Sequence, residues 1–505
     1  MSNPNPPAPA PRWLVRFGLL ALAGYAVMIG CYFSTTAAGS DSSGYLNSAR
    51  LFAAGQLETT QRIPPEFGPL PPGERVQLTP LGFWPSFPGP DVHPTYPTGL
   101  PLHLALAGKL FGWTAGALFV GLFAALGAIL LCYAIGRELG LEASLAAGAA
   151  AVLACCPVFL FTSVQPLSDT LATTWCLAAV FCALRTRRQT GWAAACGAAF
   201  AIAVLVRPTN LVLAPALVVL LGFDWRRLLL FGLSGIPGAI WLGFYNHALY
   251  GGVLDSGYGP IGEAFAASWG LPTAWHFFKW LALLLPGVFV ALPFFALARR
   301  ELRTRELLGL AAWFGVIVTP YAFYEISHQV WWCLRFILPA IPALILAGMF
   351  GVEALVRRFD AARAQRLRVI VTLALVVWAA ILARFWTRQF FIMNTKMDER
   401  VYADICAAAR EKCAPGTLVV SMATTGAVYF YTDFAVLRWD QIDAARFARC
   451  IALARQAGRP VCAIVFDWEE KDMRPRCPGE WTALATSRNA TLYRLAAASA
   501  PAATK

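Results

Sequence analysis

The sequence predicts an all-α polytopic membrane bundle of about eleven transmembrane helices, followed by a soluble α/β domain at the C-terminus. Three observations carry this. Of 505 residues, 58% are hydrophobic and 14% charged, against roughly 45–50% and about 25% in soluble domains. The apolar excess is gathered in runs near bilayer length, among them Phe17–Phe33, Ala115–Ile135 and Leu367–Ala383. Roughly 20 apolar residues cross a bilayer, and in hydrocarbon such runs must be helical to satisfy their own backbone. After residue 385 the pattern changes to short apolar strands alternating with amphipathic helices.

Residues 1–12 form a Pro-rich leader, expected to be disordered and cytoplasmic. The run after Arg12 and Arg16 is longer than a signal-peptide core, so it is a first, uncleaved span. The membrane domain extends over 13–385, with spans at 13–33, 115–135, 143–162, 168–184, 191–206, 209–222, 227–245, 279–298, 306–323, 336–352 and 367–385. One set of span ends carries Arg12, Arg16, Arg137, Arg185, Arg187, Arg188, Arg226, Arg227, Arg299, Arg300, Arg303, Arg305, Arg357, Arg358, Arg363, Arg366 and Arg368. The opposite short loops carry only Arg207 and Arg335. Positive charge marks the cytoplasmic side, so the N-terminus is expected inside and the tail, 386–505, outside. The net charge of +13 is then a topology signal. Nucleic acid is not an expected partner, because no basic face with interleaved aromatics exists.

Three outer stretches are long enough to hold chemistry. The first, 34–114, opens with Gly39-Ser-Asp-Ser-Ser-Gly-Tyr45 and a helical pattern placing Tyr45, Ala49 and Phe52 on one face. That face predicts a helix lying in the membrane interface. The stretch closes with His93-Pro-Thr-Tyr-Pro-Thr-Gly-Leu-Pro-Leu102 and a second interfacial helix, Leu102–Phe111. The other two stretches are Tyr245–Lys279 and Tyr324–Arg335. In the tail, strands are expected at Thr417–Met422, Ala427–Tyr431, Val461–Phe466 and Thr491–Leu495, and helices at Asp398–Arg410 and Gln441–Ala457.

Asp41 is the sharpest candidate for chemistry. A carboxylate beside the headgroups, partly shielded from water, makes a better proton acceptor. The plainer reading of an Asp before a helix is an N-cap, and the two are compatible. Arg335 and Arg207 stand on the side where arginine is rare, and guanidinium groups hold phosphate bidentately; snorkelling to the interface is the plainer alternative. Asp169 reads as a cap. Trp331 and Trp332 read as interfacial belt residues. His93, His328 and Glu325 with Asp41 match no metal-ligand spacing, so a metal is conceivable but not expected, and no other cofactor is expected. No nucleotide-binding or H-E-x-x-H motif is present, which argues against ATP or a nucleotide sugar. Of thirteen cysteines, eight lie in the apolar region, where they are small hydrophobes. Five (Cys406, Cys413, Cys450, Cys462, Cys477) lie in the tail, an odd count that leaves the pairing open.

Several segments together resemble the membrane glycosyltransferases that use polyprenyl-phosphate sugars, of GT-C fold, in their bacterial protein mannosyltransferase and aminoarabinose transferase group. They are Asp41-x-x-x-Tyr45 with Ala49 and Gly55, Tyr96-Pro-Thr-Gly-Leu-Pro-Leu, Arg207-Pro-Thr, Asn246-x-x-x-Tyr-Gly-Gly with Ser256-Gly-Tyr258, and Arg335-Phe-Ile-Leu-Pro-x-x-Pro342, in the family's order. Where many members carry two adjacent acidic residues, Asp41 is followed by Ser42. The resemblance implies an inverting transfer of a sugar from a polyprenyl-phosphate donor to a hydroxyl of a lipid, polysaccharide or protein acceptor at the outer face of the bacterial cytoplasmic (inner) membrane. It implies Asp41 as base, and Tyr45, His93, Tyr96, Arg207, Asn246, Tyr258, His328 and Arg335 as substrate-binding residues. Competing readings are an envelope glycan ligase or polymerase acting on a lipid-diphosphate glycan, a lipid-sugar flippase, and a scaffold displaying the tail.

Overall fold

The structure is a computed structural model and describes residues 9–259, 261–298 and 305–496. The first eight residues of the leader, and Arg299, Arg300 and Arg303, fall outside the described residues. The chain forms two compact units that do not follow chain order. One comprises residues up to Phe33, Pro97–His103 and Leu110–Thr395; the other comprises Ser34–Tyr96, Leu104–Lys109 and Lys396–Lys505.

The first unit is helical. Among the described residues five of its helices are long and apolar enough to cross a membrane: Arg12–Tyr32, Trp113–Glu138, Trp225–Tyr250, Trp331–Val356 and Ala361–Gln389. Two bent pairs add up to two more. Ala143–Ala154 and Pro157–Ser163 meet at 62°, and Ala267–Leu284 and Val288–Phe295 at 108°. Pro157 and Pro286 sit at these breaks, because proline cannot donate the ladder hydrogen bond of a continuous helix. Three further expected spans are shorter apolar helices, Trp192–Val206, Pro208–Leu221 and Leu307–Ala322, and Ser168–Arg185 forms the remaining one. The Trp331–Val356 stretch is the buried centre, with 83% of its apolar window covered, against 6% for Arg12–Tyr32.

Small residues let these helices approach closely, as in other membrane bundles. A side chain at Gly197 would come within 2.0 Å of the Phe231 carbonyl, and one at Gly351 within 2.6 Å of the Leu292 carbonyl. Buried hydroxyls return their hydrogen bonds to the backbone: Thr174 Oγ1 donates to Ala124 O at 2.6 Å and Thr173 Oγ1 to Asp169 O at 2.8 Å. At helix ends, Glu138 receives Arg185 and Arg188, and Glu353 receives Arg357 and Arg368.

In the second unit the stretch 34–96, grouped with the bundle on sequence grounds, packs together with the tail. Its own sheet is small: β1 (Thr59–Thr60), β2 (Phe83–Pro85) and β3 (Asp91–Pro94), with β3 central and both pairings antiparallel. The tail sheet has β4 (Leu418–Ser421), β5 (Ala435–Arg438), β6 (Val461–Phe466), β7 (Trp481–Ser487) and β8 (Ala490–Leu495) in the order β5-β4-β6-β8-β7. The β5-β4-β6 part is parallel, and β8 and β7 add antiparallel strands. β4 and β6 are buried along their whole length, as expected for a sheet covered by helices on both faces.

Two expectations are corrected here. Residues 427–431 are not a strand: Thr425–Tyr431 is a helix. Its β-rich composition yields to packing, since Gly426 lies so close to Ser43 that a Cβ would stand 2.1 Å from Ser43 Oγ. The helix Asp41–Ala53 is not an open amphipathic face, because every residue from Ser42 to Ala49 is buried. The tail helix Thr425–Tyr431 packs on it. Strands β5 and β7 and the helix Asp467–Arg476 went unforeseen. That helix is strongly charged and carries little apolar periodicity. It is held by Glu469, which accepts from Phe466 N at 3.0 Å and Ala423 N at 3.1 Å.

Candidate active site

In the second unit, Asp41 is the first residue of the helix Asp41–Ala53, and Ser40 before it makes no side-chain cap. The N-cap position therefore belongs to Ser40, and Asp41 stands in the first turn. Asp41 keeps the favourable field of the helix N-terminus, and its Oδ1 accepts from the Tyr96 hydroxyl at 2.9 Å. The same hydroxyl stands 3.1 Å from Ser40 Oγ. Burial, followed by the charge of Asp41, pushes the Tyr96 hydroxyl well above its usual range, so it stays a donor.

Close packing fixes that geometry. The rings of Tyr45 and Tyr96 lie 4.7 Å apart. A Cβ on Gly44 would fall 2.2 Å from Tyr96 Cε2, and one on Gly82 would fall 2.6 Å from Gly44 Cα. Gly82 also has φ +90, a left-handed conformation that glycine adopts without penalty. From the tail, Asn47 Nδ2 donates to Gly426 O at 3.1 Å, Arg50 Nη1 donates to Phe430 O at 2.6 Å, and the Tyr431 hydroxyl accepts from Ala37 N at 3.0 Å. The Asp41 helix and its lead-in are thus held by residues 379 to 394 positions away in sequence.

The first unit brings together the two arginines singled out from sequence. Arg207 follows the helix Trp192–Val206 in an extended conformation, φ −145 and ψ 108, as a residue before proline prefers. Its guanidinium lies 5.6 Å from the Phe336 ring centre, and that of Arg335 lies 5.5 Å from the same ring and 5.1 Å from Trp332. Tyr321 stacks on Phe336 at 5.5 Å, Tyr324 meets its edge at 5.5 Å, and the Tyr321 hydroxyl lies 2.8 Å from Thr209 Oγ1. Asp169 is not simply a cap: it is ion-paired with Arg207, with both side chains largely buried. The Pro-Thr-Gly segment reaches the same neighbourhood of this unit. A Cβ on Gly99 would stand 2.3 Å from Val206 N, and Thr98 Oγ1 accepts from Trp241 Nε1 at 3.1 Å.

A family model described as dolichyl-phosphate-mannose-protein mannosyltransferase matches residues 95–238. No curated protein matches the sequence. Among solved structures, ArnT from Cupriavidus metallidurans bound to undecaprenyl phosphate is similar with TM-score 0.60 at 16% identity, over 97% of this chain and 99% of that one. The chain has the GT-C fold. The Archaeoglobus fulgidus oligosaccharyltransferase in its apo form gives 0.52 at 12% identity, over 90% of this chain and 70% of that one. The arabinofuranosyltransferase AftD from Mycobacteria gives 0.51 at 14% identity, over 97% and 42%.

Within this GT-C chain the family-model match takes in Tyr96, Asp169 and Arg207, while Asp41 and Arg335 lie on either side of it. The other sequence candidates are spread out. His93 sits in β3 opposite Trp84, with Nδ1 2.9 Å from Ser86 Oγ, which in turn bonds Glu58. Burial pushes its imidazole down to about 4, so it is neutral at physiological pH. Asn246 Nδ2 donates to Val253 O at 3.0 Å and closes the turn after Trp225–Tyr250. Tyr258 is exposed on the following loop. His328 stacks on Trp269 with centroids 5.0 Å apart. Among the described residues no group of three or more His, Cys, Asp or Glu side chains is placed to hold a metal.

Sequence reasoning missed Ser40, Gly44, Gly82, Asn47, Tyr324 and Phe336. Gly44 stood within the quoted Gly39–Tyr45 run, and Phe336 directly after Arg335. Neither the tyrosine–glycine packing nor the shared ring has a local signature.

Proposed function

We propose that this GT-C protein is a membrane glycosyltransferase that moves a sugar from a polyprenyl-phosphate donor to a hydroxyl acceptor at the outer face of the membrane. The observation that carries the reading is the Tyr96 hydroxyl bonded to the Asp41 carboxylate at a helix N-terminus. An ionised carboxylate has two oxygens and about four lone-pair sites, so bonding to Tyr96 is compatible with taking the proton of an acceptor O–H. Undecaprenyl phosphate bound to the similar ArnT structure supports a lipid phosphate as the donor's carrier.

In the proposed reaction the acceptor hydroxyl gives its proton to Asp41 as its oxygen attacks the anomeric carbon. The bond from that carbon to the phosphate oxygen breaks, and the polyprenyl phosphate leaves with the electron pair. Attack from the opposite side inverts the anomeric centre. Arg335, with Arg207, is assigned to the phosphate, whose charge grows as it leaves. The ion pair with Asp169 fixes the Arg207 guanidinium in place. Tyr45 and Tyr96 position the Asp41 carboxylate, while Asn246, Tyr258, His93 and His328 are assigned to substrate contacts by the resemblance alone.

The test is a transfer assay in membranes with a polyprenyl-phosphate sugar and the Asp41→Asn variant, at matched expression. Transfer by the wild type and none by the variant is expected. Near wild-type transfer by the variant would remove Asp41 from the reaction. Accumulation of the lipid-linked sugar across the membrane without any glycosidic product would favour the flippase reading instead.

A further inference from the structure

The tail carries five cysteines, an odd number that left their pairing unreadable from sequence. The structure brings two of them together. Cys413 follows the last turn of the helix Thr395–Lys412, with its N–H donating to Ala409 O at 2.9 Å. Cys462 is the second residue of β6, between Val419 of β4 and Arg494 of β8. Their sulfurs stand 3.1 Å apart, and both side chains are buried. Cys406 and Cys450 lie elsewhere, on the helices Thr395–Lys412 and Ala444–Gln456, and Cys477 follows the helix Asp467–Arg476.

We infer that Cys413 and Cys462 close a disulfide in the mature protein, stapling the end of the helix Thr395–Lys412 to the central strand of the tail sheet. Sulfurs 3.1 Å apart need about 1 Å of approach to reach bonding distance, which rotation about the cysteine side-chain bonds supplies. One of the two thiolates, taken as Cys413, opens the exchange. It attacks one sulfur of a disulfide oxidant, an oxidised dithiol protein or a small-molecule disulfide, and expels the other sulfur as a thiolate. Cys462 then attacks Cys413 and releases the oxidant's second thiolate. The two cysteines lose two protons and two electrons, and the oxidant's disulfide becomes two thiols. Both sulfurs are buried in the folded unit, so the exchange belongs to folding, before β6 is covered.

The inference rests on the outer-side placement of the tail in the proposed reading, since disulfides persist in oxidising compartments. It does not depend on transferase activity. Membranes holding the full chain are denatured without reductant, alkylated with N-ethylmaleimide, digested and analysed by mass. The expected result is a linked peptide pair containing Cys413 and Cys462, with both residues unalkylated until reductant is added. In the Cys413→Ser variant, Cys462 should become alkylated. Alkylation of both residues in the unreduced wild type, or linkage of either to a different cysteine, overturns the inference. A reporter fused after Lys505 separates the causes: outer-face activity with free thiols faults the pairing, whereas cytoplasmic activity faults the placement. Loss of transfer by Asp41→Asn is scored independently of both.

Discussion

The side-chain amide of Asn47 donates to the backbone carbonyl of Gly426 at 3.1 Å, joining the helix that begins with Asp41 to a helix 379 residues later. Both ends of the bond are buried. Asn47→Ala leaves the Gly426 carbonyl without this donor, at a cost of about 1–3 kcal/mol. A lower unfolding temperature and reduced transfer are expected together. Gly426→Val should cost more, because its side chain meets Ser43 Oγ at 2.1 Å. Thermal unfolding of the two variants beside the wild type checks the order. An unchanged midpoint for Gly426→Val would contradict the packing.

Tyr96→Phe keeps the ring that packs on Tyr45 and Gly44 and removes only the hydroxyl bonded to Asp41. Hydrogen bonds to charged groups contribute about 1.5–3 kcal/mol. The transfer rate is expected to fall by about tenfold to a hundredfold, and the unfolding midpoint to fall as well, since the bond is part of the folded structure. A rate equal to the wild type would separate Tyr96 from the work of Asp41.

Gly44→Ala places a methyl group 2.2 Å from Tyr96 Cε2. The ring must move, and the hydroxyl moves with it. Transfer should fall at least as far as in Tyr96→Phe, and stability should fall by about 1–3 kcal/mol as for other overpacked sites. Rate and unfolding measured on the same preparation check both effects; a stable, fully active variant would refute the contact.

Arg207 and Asp169 form a buried ion pair. Removing one partner strands the other charge, at about 3–5 kcal/mol. Asp169→Asn and Arg207→Leu are each expected to destabilise strongly, and the double variant by clearly less than their sum. A double-mutant cycle on unfolding free energies reads the coupling. Additive losses would mean the pair does not interact.

Two titratable groups of the second unit act on stability with opposite signs. Burial pushes His93 down from 6.5 to about 4. Between these values the unfolded chain binds a proton that the folded chain refuses, so stability falls as pH drops through that window. Burial pushes Glu399 up from 4.5 to about 7. There the folded chain holds a proton that the unfolded chain releases, so stability falls as pH rises from 4.5 towards 7. Glu399→Gln should therefore raise the unfolding temperature at pH 8 relative to its effect at pH 4. Equal effects at both values would place Glu399 in water.

The sequence by itself determined the helical membrane-type bundle, because an unbroken apolar run admits one backbone solution in hydrocarbon. It also determined the α/β tail, and it singled out Asp41, Tyr96, Arg207 and Arg335 as chemistry-bearing residues. Tertiary structure alone decided what those residues touch. Asp169 reads as a cap until its ion pair with Arg207 is seen, and nothing near residue 169 in the chain announces residue 207. Residues 427–431 have strand composition, but the approach of Gly426 to Ser43 makes a helix there. The helix that starts at Asp41 looks half-exposed until the tail covers it. Periodicity records which face of an element avoids water; it does not record which distant segment supplies the cover, and that choice sets the position of a side chain such as Asp41.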